Sequence, residues 1–249
     1  MTINLPVNTV APPQKACVMR HNWADLLFLH WEVPAGDLQR LIPHELAIDT
    51  FEGKAYIALV PFRITCISAG ALKPTVGVFG FPEINVRTYV RRNGSDPGVW
   101  FFSLDAADAL ACLGARLTYK LPYFFAEIEQ TDSVVSGSTT THYVSRRYFP
   151  GPVPAFADLE YAVCDEAPAS AAPGSLEEFL IERYLLYSYK DSSVFAGWVR
   201  HTPYQIQPAV LHSLEENLVS AAGVRRPESS PLIHFARLAD VKVFPLKRL

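Results

Sequence analysis

The sequence has no run approaching the ~20 consecutive apolar residues a membrane-spanning helix needs, and a bilayer is not an expected partner. Cysteine is scarce: Cys17, Cys66, Cys112 and Cys164 lie far apart and form no C-x-x-C pair, so neither a zinc ribbon nor a disulfide framework is spelled out. Charge of one sign is lacking too, with 22 Lys and Arg against 25 Asp and Glu and a formal net charge of −3. Basic residues come only in short pairs such as Arg91-Arg92, Arg146-Arg147 and Arg225-Arg226. A nucleic-acid surface needs a basic stripe, so nucleic acid is not an expected partner either. Residues 1–20 carry prolines and polar side chains where a secretion signal has an apolar core. The expected location is therefore cytoplasmic, with four reduced thiols. No H-E-x-x-H, G-x-S-x-G, Walker loop or G-x-G-x-x-G occurs, and the seven histidines are scattered singly. No metal and no cofactor are expected.

What is abundant is apolar surface, at 49% of residues with 12% aromatic, enough to bury a substantial core in a chain of 249 residues. The expected division is an N-terminal arm over residues 1–15, broken by Pro12-Pro13, and one domain over 16–249. Leu26 to Trp31 and Lys54 to Phe62 read as buried strands. Glu83 to Arg91 alternates, with Ile84, Val86, Thr88 and Val90 on one face and Asn85, Arg87, Tyr89 and Arg91 on the other. Asn93-Gly94 marks a hairpin turn, read with a loop longer than two residues, and Gly98 to Phe102 is the returning strand.

Asp105 fits a helix N-cap before an alanine-rich run that ends ahead of Pro122. Tyr123 to Ile128 and Thr139 to Tyr148 read as strands, and Pro150 to Gly174 as a long surface connection. Ser175-x-x-Glu178 is a capping box, opening a helix expected to run through Tyr187. Pro208 and Gly223 bracket a further expected helix over Ala209 to Ala222, and Leu232 to Leu246 closes the chain in extended form. Many short strands with a few helices predict an α+β fold: a mostly antiparallel β-barrel with a central cavity and peripheral helices.

Two stretches resemble acetoacetate decarboxylase in order and spacing. They are Asp37-Leu38-x-Arg40-Leu41-Ile42-Pro43-x-x-Leu46-x-Ile48-Asp49 and Gly114-x-Arg116-Leu117-x-x-x-x-Pro122. A closer set of motifs includes His30-Trp31, Val86-Arg87-Thr88-Tyr89-Val90, Phe101-Phe102-Ser103-Leu104-Asp105-Ala106, Leu121-Pro122-Tyr123 and Glu182-Arg183-Tyr184-x-x-Tyr187. These resemble a bacterial domain family of unknown function in the same superfamily, along nearly the whole chain. The resemblance implies the same cavity-bearing fold. It also exposes a departure. In the decarboxylase the lysine after the proline forms an imine with a β-keto acid, its pKa lowered by a cationic neighbour. Here the two positions are Tyr123 and Phe124, and a phenol cannot form that imine.

The pocket candidates are Glu83, Arg87 and Tyr89 on the alternating strand, Arg116 from the Gly-Arg segment, and Tyr123. If the apolar face of the strand packs outward under helices, Arg87 points inward, where it pairs with Glu83 or holds a carboxylate or carbonyl oxygen. If the polar face meets solvent, these are surface residues. Three functions follow: a binding protein for a small, partly apolar carbonyl or carboxylate compound; an imine-independent lyase, isomerase or hydrolase acting on an enolisable carbonyl or ester; and a scaffold for homo-oligomeric assembly with its cavity filled.

Overall fold

The computed structural model describes residues 16–70, 80–135, 138–151 and 154–249, so the expected N-terminal arm lies outside the described residues. The chain opens with β1 (Met19–Val33), a short helix α1 (Ala35–Gln39) and β2 (Ala47–Ile48). Three long strands, β3 (Ala55–Ala69), β4 (Phe81–Arg92) and β5 (Ser95–Ala106), lead to helix α2 (Ala109–Thr118). The strands β6 (Tyr123–Val135), β7 (Ser138–Phe149) and β8 (Phe156–Val163) follow, then α3 (Leu176–Ile181), β9 (Leu185–Lys190), β10 (Ser193–Arg200) and β11 (Ile206–Gln207). The last elements are β12 (Ala209–Glu216), α4 (Leu218–Ala221), β13 (Leu232–Val243) and β14 (Lys247–Arg248). The fold is α+β with a dominant, mostly antiparallel sheet. None of the described helices is long and apolar enough to cross a membrane.

The strand pairings β4-β5-β9-β10-β13-β1-β3-β4 close on themselves. The ring is thin at two seams: β5 meets β9 through Val99–Leu186 and Trp100–Tyr187, and β10 meets β13 through Val199–Val243 and Arg200–Lys242. It is a ring of strands with weak seams, looser than the regular barrel expected from the pattern. Beyond the β9 contact, Leu104 to Ala106 of β5 pair in parallel with Tyr123 to Phe125, and the sheet continues as a wing, β6-β7-β8-β12. This wing folds back over the outside of the ring.

Period-two alternation sorts the side chains between the two cores. Phe28 of β1, Val60 and Phe62 of β3 and Val99 of β5 point into the ring, where α3 adds Leu180 and Ile181. Leu27, Leu29, Leu59, Ile84 and Val86 point outward and are covered by Tyr143, Leu159, Leu218 and Val219 from the wing and α4. The cover over β4's apolar face is therefore mainly sheet, where helices were expected. Asp105 of β5 and Arg147 of β7 join wing to ring through paired hydrogen bonds, Nε to Oδ2 at 2.8 Å and Nη2 to Oδ1 at 2.7 Å. The Arg147 guanidinium also lies 3.8 Å from the Phe124 ring centroid.

Several elements differ from the sequence expectation. β4 and β5 pair as far as Arg92 and Ser95, so the loop is Asn93-Gly94 alone, with φ of 51° and 72°. Those positive values make it the tight two-residue type that Asn-Gly favours. The cap of α2 is Asp108, whose side chain accepts from the Ala111 amide at 2.8 Å, because parallel pairing with β6 holds Asp105 in β5. The Ser175 helix starts where expected, with Ser175 Oγ accepting from the Glu178 amide, but it stops at Ile181, and Leu185 onward pairs with β10 and β5. Ala209 to Glu216 is a strand on the edge of β8. Leu211 and Leu214, three apart as on a helix, share a face because a bulge between Leu211 and Ser213 breaks the period of two. The supposed connection before Gly174 contains β8, whose buried Ala157, Leu159 and Tyr161 alternate with exposed or half-buried neighbours.

Candidate ligand-binding cavity

Inside the ring is a cavity of about 130 Å³, walled largely by apolar and aromatic side chains such as Leu26, Val60, Phe62, Val99 and Leu104. The polar groups on its wall are few. Glu83, Asn85 and Arg87 come from successive inward positions of β4, His21 and Trp23 from β1, Tyr123 from β6, and Arg183 from the segment after α3.

The β1 residues were not legible because the strand changes register midway. Asp25 has φ of 52°, and five steps of β1 from Ala24 to Leu29 oppose four of β3 from Arg63 to Leu59. That extra residue moves the inward face from the odd positions (Met19, His21, Trp23) to the even ones (Leu26, Phe28, His30). Alternation read through the bulge loses the first set. The helix expected to run through Tyr187 would carry Arg183, but the residue follows the shorter helix, and its Nη1 lies 2.8 Å from Asp49 Oδ2.

Glu83 is buried, and its Oε2 accepts a hydrogen bond from the Tyr123 hydroxyl at 3.0 Å. Burial pushes the Glu83 carboxyl up to about 8, against a smaller opposing pull from the Tyr123 hydrogen bond. Burial and the Glu83 charge together raise Tyr123 above its ordinary phenol value. Of the two partners considered for Arg87, Glu83 or a ligand oxygen, the Glu83 ion pair is not formed. A carboxyl this deeply desolvated stays protonated at neutral pH and turns to a hydroxyl partner instead.

Among the described residues no carboxylate lies within ion-pair distance of Arg87, which is 9% exposed. Its Nη2 donates to the Leu180 carbonyl at a long 3.4 Å, its Nε has no protein partner, and its guanidinium lies 5.3 Å from the Phe28 centroid. Three more buried polar atoms on the cavity's residues also lack a protein partner: Asn85 Oδ1, Trp23 Nε1 and His21 Nε2. Buried polar atoms are satisfied in the great majority of cases; of the thirteen without a protein partner among the described residues, these four belong to residues of the cavity wall.

Of the five sequence candidates, the structure brings Glu83, Arg87 and Tyr123 together on the cavity wall. Tyr89 is buried behind it, its hydroxyl donating to the Leu180 carbonyl at 2.7 Å and lying 2.7 Å from His30 Nε2. With that proton committed to Leu180, His30 Nε2 must be the donor to Tyr89, which assigns the tautomer. Arg116 is on the outside: it is exposed on α2 and donates to the Tyr123 carbonyl at 2.6 Å, bracing the backbone of that residue. Among the described residues no lysine lines the cavity, and Lys120 lies outside it with Nζ 5.1 Å from the Phe195 centroid.

A family model described as an uncharacterized conserved protein, DUF2071, matches residues 20–240. The chain belongs to the DUF2071 family. A curated relative of this DUF2071 chain, the uncharacterized protein YqjF of Bacillus subtilis (strain 168), is 36% identical over 248 residues, covering 100% of this chain and 99% of the relative. Among solved structures, acetoacetate decarboxylase from Legionella pneumophila superposes with a TM-score of 0.63 at 13% identity, covering 98% of this chain and 93% of its own. The enduracididine biosynthesis enzyme MppR complexed with pyruvate gives 0.61 at 12% identity, over 96% and 91%. An acetoacetate decarboxylase-like enzyme from Sphingomonas wittichii RW1 gives 0.60 at 10%, over 93% and 92%. The DUF2071 chain thus has the acetoacetate-decarboxylase-like fold.

The state of Glu83 has a measurable consequence. Its carboxyl lies above the ordinary 4.5 in the folded chain, so between 4.5 and about 8 the folded protein keeps a proton that the unfolded chain has released. Stability from this site is complete below the lower value and is lost as pH rises toward the upper one. Over that window wild-type stability is expected to fall by about 1.4 kcal/mol per pH unit from this group. Glu83→Gln, which keeps an oxygen for Tyr123, should remove that slope in urea melts between pH 5 and 8. An unchanged slope would mean that Glu83 is already ionised at neutrality.

Proposed function

We propose that the cavity binds a small carboxylate with a partly apolar body, held by Arg87 and without an imine. The observation that carries this is the Arg87 guanidinium, buried among aromatic rings with no carboxylate partner among the described residues. An anion there replaces the hydration the guanidinium has lost, and the guanidinium fork suits two carboxylate oxygens. The cavity volume of about 130 Å³ suits a compound of a few heavy atoms, a space of the order that admits benzene in an engineered core, about 150 Å³. The pyruvate in the MppR complex, a 2-oxo carboxylate, supports this class of ligand by analogy of fold. An open cavity disfavours the reading of the ring as a filled scaffold.

A second reading, an enzyme acting on an enolisable carbonyl, is favoured by the Tyr123–Glu83 hydrogen bond beside the same cavity. In that reading the pair moves a proton at the ligand while Arg87 holds the oxyanion. Cytoplasmic location belongs to the proposal in either case.

Thermal-shift titration with pyruvate and acetoacetate, and with methyl pyruvate as the uncharged control, tests the binding. Carboxylates should stabilise the wild type, by about 2.7 kcal/mol at a concentration near 100 times Kd, and the ester should not. Arg87→Met should lose the response. Borohydride added with acetoacetate should leave no covalent mass shift. Equal stabilisation of Arg87→Met, or none of the wild type, defeats the proposal. A lysine adduct restores the imine.

A further inference from the structure

Helix α2 buries Cys112 and turns its leucines the other way. Leu110, Leu113 and Leu117 are 82%, 55% and 64% exposed, and Leu110 is the most exposed large apolar side chain among the described residues. Their spacing of three and four puts them on one helix face. Beside this stripe runs a groove of about 500 Å³ whose apolar wall includes Leu113, Leu117, Trp100 and Phe102, with Arg116 and Lys120 on its rim. Between the leucines is Gly114, and a methyl group added there would meet nothing within 4 Å. Glycine in a helix interior is unfavourable, and no contact within the chain calls for it. A backbone approaching closely from outside would.

We infer that this face is the two-fold interface between two copies of the chain, with the α2 helices packed antiparallel across Leu113 and Gly114. The stripe is complementary to itself in that arrangement. Leu110 of each copy falls level with Leu117 of the other, and the two Leu113–Gly114 pairs face each other, as a two-fold interface requires. Charge agrees. Asp108 stands at the N-terminus of α2, while Arg116 and Lys120 stand at its C-terminal end, so antiparallel packing brings the acidic end of each copy to the basic end of the other. Asp108 uses Oδ1 for its own cap, and Oδ2 is left for the second copy. The groove beside each helix receives the leucines of the facing one. An unrelated acidic partner would satisfy the cations but would leave the self-matching stripe and Gly114 without a reason.

Light scattering coupled to gel filtration tests this on the full chain. The wild type should run at twice the 27.7 kDa chain mass, and Leu113→Glu and Leu110→Glu should each run at the chain mass with unchanged circular dichroism. Because both side chains face solvent in the single chain, two independent variants guard against a folding defect in one. Gly114→Ala separates the interface from mere helix stability. It should raise the melting temperature of the dissociated chain, yet weaken the dimer on the order of tenfold, since its methyl enters a close contact. A wild type that stays monomeric overturns the proposal. So does an assembly that both glutamate variants leave intact, because another face must then hold it.

Discussion

Arg87→Met should make the ligand-free protein more stable, by on the order of 1–4 kcal/mol, the range seen when whole buried ion pairs give way to apolar residues of similar volume. Removing one partner of a buried ion pair is damaging because the other ion is left alone. Arg87 has no carboxylate partner to lose among the described residues. Its Nε has no protein partner, its hydrogen bond to Leu180 is 3.4 Å long, and Glu83 four residues earlier is held by Tyr123. Methionine keeps the length of the side chain and suits the aromatic wall. The opposing loss is the stacking of the guanidinium over Phe28 and Tyr89, at 5.3 and 5.8 Å, and such contacts contribute about 0.5–2 kcal/mol. Desolvation is the larger effect, so the net sign is stabilising. Denaturant melts at constant m-value report it. The same variant should no longer respond to pyruvate, the pattern of a residue kept for binding at the expense of stability. A clear loss of stability in the ligand-free variant would show that Arg87 has a partner in the native state, and would remove the ground for carboxylate binding.

Arg147→Ala should act in the opposite direction, destabilising by about 3–5 kcal/mol, the usual effect of breaking a buried pair. Asp105 is 0% exposed and Arg147 8%, and both of the carboxylate's oxygens are used. Burial already raises the Asp105 pKa, and Arg147 is the main group that opposes that rise, with Ser103 a lesser one. Without it, the carboxylate must take up a proton or remain an unpaired buried charge. The change also strips a ring contact from Phe124 and loosens the tie between the wing and the ring. Urea melts near neutral pH should show the full loss. At acid pH, where Asp105 is neutral in wild type as well, the difference should shrink. A variant within about 0.5 kcal/mol of wild type, the ordinary range for surface changes, would mean the pair is not desolvated in solution.

The two arginines show where reading from sequence stops. Arg87 stands in a strictly alternating strand, and alternation alone puts it on one face with Glu83 and Asn85. Arg147 stands beside Arg146 in another strand and looks like half of a surface pair. Its partner is 42 residues away in sequence, and Asp105 offered a local explanation as a helix cap that Asp108 in fact supplies. Local signals were reliable wherever the chain interacts with itself at short range. The Asn93-Gly94 turn and the Ser175 cap are where they were expected. They failed where a remote strand competed. Ala209 to Glu216 became a strand because β8 offered an unpaired edge, and Leu185 onward did so because β5 and β10 did.

By itself the sequence determined the α+β class, strands such as Leu26 to Trp31, Lys54 to Phe62 and Thr139 to Tyr148, and the polar stripe Glu83-Asn85-Arg87. Each of these depends on residue type and near-neighbour spacing. Only the tertiary structure decided that the stripe faces a cavity, because that depends on the ring closing through two short seams and on the wing covering β4's other face. It decided that His21 and Trp23 join the wall, because one extra residue at the Asp25 bulge shifts the inward positions. It decided that Glu83 turns to Tyr123 and leaves Arg87 unpaired, because burial makes a neutral carboxyl the cheaper state and so removes the charge that would have drawn the two together.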